Sequence, residues 1–266
     1  MVADSKQVYQ RLDIATNKPS AEHLRAVRYH MVDFVDPATG FNAAQYLQGA
    51  NESIDDIMSR DRVAIIEGGT MLYVDALCDG FNLTGVPPDP ELRAELEVLE
   101  VSALRKMLLA LDSDPGVDLQ NPLRMIRAIE VLQVAGPPLR ALRTRKPPPW
   151  EALRIGLTAP LGVIDRRLGE RSRRQVERGL VAETQSALDA GVPETAPVLT
   201  GIGYAEALAH IRGEVTLEGL PEMMARNNRR YARRQLRWWR RDPRVIWFEI
   251  GPDPLPAILK HVRSKA

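Results

Sequence analysis

The run "VAIIEGGTMLYVDAL", residues 63–77, constrains the fold more than any other stretch. A short apolar segment rich in β-branched residues ends in "EGGT", and apolar positions then recur at helical spacing. The pattern predicts strand, glycine turn and helix, the repeating unit of an α/β protein. "LRIGLTAP" (153–160) and "RVIWFEI" (244–250) predict two further strands. The opening "MVADSKQVYQRLD" predicts another, with Met1–Ala3 as a buried parallel strand. It would deliver Asp4, Ser5, Lys6 and Gln7 to the carboxyl edge of the sheet, where α/β proteins keep their ligands. Helical periodicity is expected over 42–59, 91–110, 121–135, 161–190, 203–211 and 218–240. Strands alternating with helices imply a mainly parallel sheet covered on both faces.

The stretch from about 84 to 150 departs from that alternation. It shows no convincing strand and lies between "GVPPDP" and "TRKPPPW". Proline clusters stiffen connections and end helices, so this segment reads as a helical insertion. The expected organisation is a discontinuous α/β core, 1–83 and 151–266, ending in a basic helix, with 84–150 inserted. With 44% hydrophobic and 27% charged residues the chain is not a disordered one. Cys78 is the single cysteine, which excludes an internal disulfide and makes a reducing cytoplasm the expected location. No signal-peptide pattern opens the chain and no apolar run reaches bilayer-spanning length, so no membrane association is expected.

The net charge of +1 conceals a division. Residues 1–150 carry 16 Lys/Arg against 21 Asp/Glu, a net −5, whereas 151–266 carry 20 against 14, a net +6. The positive charge concentrates in "RNNRRYARRQLRWWRRDPR" (226–244), which has nine arginines and one acid, Asp242. On a helix Arg226, Arg230, Arg233, Arg237 and Arg240/Arg241 share one face. Ala225, Ala232, Leu236 and Trp239 form an apolar stripe suited to packing on the sheet. Solvated helix faces mix signs to gain i,i+4 pairs and to avoid self-repulsion. A nearly acid-free arginine face points instead to a polyanion, with a phosphate backbone as the expected ligand.

Weaker signals accompany it. Gly68, Gly69 and Thr70 occupy a strand-to-helix turn, where glycine permits close backbone approach and a helix N-terminus favours anionic groups. Such turns also serve connection alone, and Asp4 after a strand also reads as a plain cap. In "RRLGERSRRQVERGL" (166–180), Arg167, Arg171 and Arg174 share a face that could clamp phosphate or pair with Glu170 and Glu177. "NPLRMIRAIEVLQVAG" (121–136) begins at an Asn cap, and Arg124 and Arg127 near its first turns oppose the helix dipole. His23, His30, His210 and His261 are scattered, and no GxSxG, paired-Cys or GxxxxGK[ST] run occurs.

Taken in order, these pieces resemble the tRNA dimethylallyltransferases (tRNA isopentenyltransferases). The resemblance rests on "ADSKQVYQRLDIATNKPS", "YHMVDFVDP", "EGGTMLYVDAL", "PPDPELRAEL", "NPLRMIRAIEVLQVAGPPL", "ERGLVAET", "GIGYAEAL" and "RRYARRQLRWWRRDPRVIWFE", and extends over nearly the whole chain. It implies a P-loop-kinase-like, mainly parallel α/β sheet with a helical insertion. It also implies transfer of a dimethylallyl group from its diphosphate, with Mg²⁺ held beside that diphosphate, to N6 of adenosine 37 in the tRNA anticodon stem-loop, by a monomer. Asp4 matches the presumed general base and Arg171 an arginine that holds the diphosphate. Matching the tRNA surface are Asp4, Ser5, Lys6, Gln7, Thr70, Arg93, Leu123, Arg124, Met125, Ile126, Arg127, Thr200, Gly201, Ile202, Gly203, Tyr204, Arg226, Arg229, Arg230 and Arg233.

Two departures from the family pattern stand out. The insertion is short, with little between Glu100 and Asn121. Family members also begin with a strand, a phosphate loop of the GxxxxGK[ST] type and its helix, whereas Met1 here falls inside the second strand. The resemblance therefore implies tRNA binding with little turnover. Two other functions stay open: a tRNA-binding relative without catalysis, and transfer to free adenine nucleotides, which would need neither the arginine helix nor the insertion.

Overall fold

A computed structural model describes every residue except 84, 85, 252 and 266. Its described residues form α1 (Ala21–Ala26), α2 (Ala43–Met58), α3 (Met71–Cys78), α4 (Pro90–Glu97), α5 (Val101–Leu111), α6 (Pro122–Ala135), α7 (Leu139–Leu142), β1 (Arg154–Thr158), α8 (Leu161–Glu177), α9 (Leu180–Asp189), α10 (Tyr204–Ile211), α11 (Leu220–Trp239), β2 (Val245–Glu249) and α12 (Leu255–Arg263). The chain divides into two compact units, 1–74 with 150–266 and 75–149. The expected start of the insertion, residue 84, lies outside the described residues. The second unit begins earlier, because residues 80–82 pair with 144–146: Phe81 and Arg145 form an antiparallel bridge, and the Lys146 amide donates to Gly80 O at 2.7 Å.

In the first unit β1 and β2 pair in parallel, Arg154 opposite Val245 through Thr158 opposite Glu249. The other expected strands are reduced to single bridges. Val2 pairs with Glu67, and the Ala3 amide donates to Glu67 O at 2.6 Å. Met1, Val2 and Ala3 are buried as their apolar character demands. The expected strand at 63–66 is corrected: this run lies outside any ladder, with Val63 87% and Ile65 76% exposed. Its side chains alternate, and one row has no cover among the described residues.

Most of the first unit's core is helical. Val8, Tyr9 and Leu12 pack with Leu180, Leu199, Tyr204, Leu208, Leu220 and Met224. The expected helix 161–190 is two, α8 and α9, broken where Gly179 takes φ +93°, a conformation that costs other residues a steric penalty. α11 packs on α8 and α10 rather than on the sheet, which corrects the expectation for its apolar stripe.

The second unit has its own core. Leu96, Leu104, Leu108, Met125, Ile126, Ile129 and Leu132 interlock α4, α5 and α6. Asp89 and Asn121 cap α4 and α6, each accepting backbone N–H groups ahead of a proline that needs no such partner. Among the described residues no helix is long and apolar enough to cross a membrane.

Candidate functional site

Two turns at the end of the short Val2–Glu67 pairing build the centre of the site. Asp4 Oδ1 accepts the amides of Lys6 (2.7 Å) and Gln7 (3.2 Å), so the residue does cap a turn. No hydrogen bond to its Oδ2 is found among the described residues. Ser5 N donates to Thr70 Oγ1 at 2.9 Å, and Thr70 N donates to Ala3 O at 3.1 Å, stitching residues 3–5 to the glycine turn. Both glycines of that turn answer to packing. A Cβ on Gly68, at φ +156°, would run into the Ala3 backbone, and one on Gly69 would strike the Gln235 amide. The turn thus does more than connect.

Lys6 joins this centre to the 200–204 run. Its Nζ donates to Pro197 O, and a Cβ on Gly201 would meet its Cε at 3.0 Å. Burial pushes the Lys6 ammonium below its usual pKa, with Asp4 opposing. Burial likewise lowers Arg171, again opposed by the Asp4 carboxylate, which places the guanidinium and Asp4 in one electrostatic neighbourhood. Arg171 Nη2 donates to Asn228 Oδ1 at 3.1 Å, while its Nε is buried with no hydrogen-bond partner among the described residues. A desolvated, half-satisfied guanidinium is costly, and an anion would relieve it. Of the other two arginines expected on this face, Arg167 and Arg174 are exposed.

The 200–204 run and α11 form a groove of about 600 Å³, lined by Thr200, Ile202, Asn227, Arg230, Arg233, Arg234 and Arg237. Glu206, 2% exposed, anchors one wall: its carboxylate accepts Gly203 N at 2.5 Å and Asn227 Nδ2 at 2.6 Å. Tyr204 is buried, its hydroxyl donating to Glu183 Oε1 at 2.5 Å; burial first, then Glu183, raises its pKa. Arg226 is exposed on the same helix. Arg229 points elsewhere, its Nε donating to Asp165 on α8 at 2.8 Å.

The remaining expected contacts belong to the second unit. Glu130, 1% exposed, receives Arg93 Nε at 2.7 Å and Nη2 at 2.9 Å, Arg127 Nη1 at 3.2 Å and Asp89 N at 3.0 Å. Burial alone would raise the Glu130 carboxyl; Arg93, the Asp89 amide and Arg127 outweigh it and hold the pKa low. In the 123–127 run Leu123 is 70% exposed and Arg124 exposed, whereas the Met125 and Ile126 side chains fill the core. Leu123, Arg124 and Arg127 line a second groove with Val117, Val131 and Leu142.

Sequence reasoning missed Tyr73, Asn228, Tyr231, Arg234 and Gln235. Burial, then the Tyr9 and Asp4 charges, raises Tyr73, and burial, then Asp4, raises Tyr231. Tyr231 Oη and Gln235 Nε2 both donate to Gly69 O, at 2.9 and 2.8 Å. Tyr231 and Gln235 lie four residues apart in the arginine run, a spacing that could have flagged them; their shared partner is a backbone atom that no sequence pattern displays.

Residues 7–242 match the profile of the IPP transferase family. A tRNA dimethylallyltransferase of Thermomicrobium roseum is 39% identical over 254 residues, covering 93% of this chain and 77% of that protein. The crystal structure of the full-length tRNA isopentenylpyrophosphate transferase of Bacillus halodurans aligns at TM-score 0.72 and 32% identity, over 99% of this chain and 85% of that one. A eukaryotic dimethylallyltransferase, crystallised acting on tRNA, shares the fold at TM-score 0.78 and 21% identity, over 93% of this chain and 66% of that one. The helix-rich architecture around a small parallel sheet is accordingly the P-loop-kinase-like α/β class expected above. Fold, site and a profile match that begins beside Asp4 and ends at the foot of the arginine helix converge on one assignment: the chain belongs to the IPP transferase family.

Proposed function

We propose that this chain transfers a dimethylallyl group from dimethylallyl diphosphate to N6 of adenosine 37 in the anticodon stem-loop of tRNA. One observation carries the reading: an Asp4 carboxylate, a buried Arg171 that feels its charge and an arginine groove belong to one unit of the chain. N6 attacks C1 of the allyl group, the C1–O bond breaks, and diphosphate leaves. Asp4 Oδ2 accepts the N6 proton; because an exocyclic amine is a poor nucleophile, placing a base on it counts for more than raw basicity. Arg171 faces the leaving group and stabilises the charge that develops on it.

The adenine reaches Asp4 only after leaving its stack, and the backbone left behind needs an electrostatic hold. Arg226, Arg230, Arg233 and the 200–204 backbone supply that hold on the first unit, with Ser5, Lys6, Gln7 and Thr70 around the base. Leu123, Arg124 and Arg93 supply it on the second. The chain acts as a monomer in the cytoplasm, where tRNA is found. No three His, Cys, Asp or Glu side chains gather as a metal site among the described residues. Mg²⁺ would be held beside the diphosphate of the donor.

Acceptor competition tests the proposal. The protein is incubated with dimethylallyl diphosphate, Mg²⁺ and equal amounts of an anticodon stem-loop and adenosine monophosphate, in single turnover with protein in excess. Mass spectrometry is expected to find one added C5H8 unit on the stem-loop and none on the mononucleotide. Addition to the mononucleotide, or to neither, overturns it.

A further inference from the structure

Asp4 needs a fixed direction, yet the segment that carries it is short and makes a single bridge to Glu67. Its support arrives from the other side of the chain. Tyr231 Oη and Gln235 Nε2, one turn apart on α11, converge on the Gly69 carbonyl at 2.9 and 2.8 Å. The next residue, Thr70, accepts Ser5 N on its hydroxyl at 2.9 Å and donates its own amide to Ala3 O at 3.1 Å. Asp4 lies between those two anchors. A second observation is steric: Gly69 leaves room for the Gln235 amide, which any Cβ there would strike, so the close approach is part of the packing. With both donors present the Gly69 carbonyl has its two lone pairs filled, and the peptide ahead of Thr70 cannot rotate without breaking two bonds.

We infer that Gln235 and Tyr231 are positioning residues for Asp4, acting through the Gly69 carbonyl and the Thr70 hydroxyl. The helix that presents arginines to RNA on one side thereby sets the direction of the proton acceptor from another. This rests on the reading of Asp4 as the proton acceptor, and it adds a role for two side chains outside the phosphate face.

Hydrogen exchange of the Ser5 and Thr70 amides tests it in the intact protein. Tyr231→Phe and Gln235→Met keep ring and length but remove one donor each. Each is expected to speed exchange at both amides about threefold to tenfold, and the double variant more, the range for a lost neutral hydrogen bond. Stem-loop affinity should change less than about twofold, while the single-turnover transfer rate falls. Asn227→Ala removes a side-chain bond of the same kind from the same helix, on the Glu206 side. It should leave exchange at Ser5 and Thr70 unchanged. Equal acceleration in Asn227→Ala would reveal general loosening of α11 and overturn the inference, as would unchanged exchange in a folded Gln235→Met protein. If the double variant does not fold, the single variants decide. A wild-type protein that neither binds nor modifies the stem-loop defeats the functional reading alone, because the exchange rates still decide the positioning.

Discussion

Arg154 and Asp242 close the start of the two-stranded sheet with a 2.6 Å ion pair, their side chains 8% and 14% exposed. Arg244 adds its backbone N–H and guanidinium to the same carboxylate; that bond, then the Arg154 charge, depresses the Asp242 pKa to about 2. Depressed relative to an unfolded value near 4, the group contributes about 2 kcal/mol above roughly pH 5, and that contribution is lost as pH falls from about 4 to 2. Asp242→Asn is expected to lower unfolding free energy by about 2 kcal/mol or somewhat more at pH 7, with the difference vanishing near pH 2 in denaturant titrations. A constant difference across that range would contradict the assignment. Arg171 makes the opposite case. Its buried Nε has no hydrogen-bond partner among the described residues, so Arg171→Met should hold or raise the melting temperature while weakening use of dimethylallyl diphosphate. A large loss of stability would mean the guanidinium is structural. Asp4 and Arg171 could be singled out from the sequence because short motifs surround them. Gln235 was not, since its partner is a carbonyl 166 residues away.

At the level of elements, α11 carries most of the account. Its arginine face was readable from spacing alone, but its packing partners were not. An apolar stripe states that something is covered, not what covers it, and α8 and α10 rather than the sheet do so. Arg229, which falls between the arginine and apolar faces, turns to Asp165. The helix therefore predicts two separable effects. Arg233→Ala with Arg237→Ala should reduce the slope of log affinity against log salt for the stem-loop by about 1–2. Arg229→Ala should leave that slope nearly unchanged and lower thermal stability instead. A fluorescence-anisotropy salt series on the three proteins checks both. Similar slopes for the double variant and the wild type would remove α11 from the RNA surface. The break between α8 and α9 lay in plain view at Gly179, but a glycine inside a helical pattern only becomes a stop once its φ is known.

Across the whole molecule, two cores without a shared residue support two sets of functional groups. The proline clusters suggested an insertion over 84–150, whereas the compact unit spans 75–149, and the pairing of 80–82 with 144–146 inside it is a long-range contact that no local pattern displays. "VAII" misled for a related reason: a continuous apolar run is the mark of a strand buried on both faces, yet here one row is bare. Met125 and Ile126 show the limit of carrying roles over by motif, because a matched run alternates between groups that face outward and groups that build the core. Glu130 ties α4 to α6 in that second core, and Glu130→Gln should speed amide exchange across α4 and α6 while leaving the Leu180–Met224 core unchanged; uniform acceleration would contradict this. The role of Asp4 as proton acceptor is tested by the single-turnover rate of dimethylallyl transfer to an anticodon stem-loop by wild-type and Asp4→Asn proteins, with stem-loop affinity determined alongside. The expected rate is lower by about 10²–10⁴ in Asp4→Asn at nearly unchanged affinity; equal rates in the two proteins would show that the adenine needs no base there.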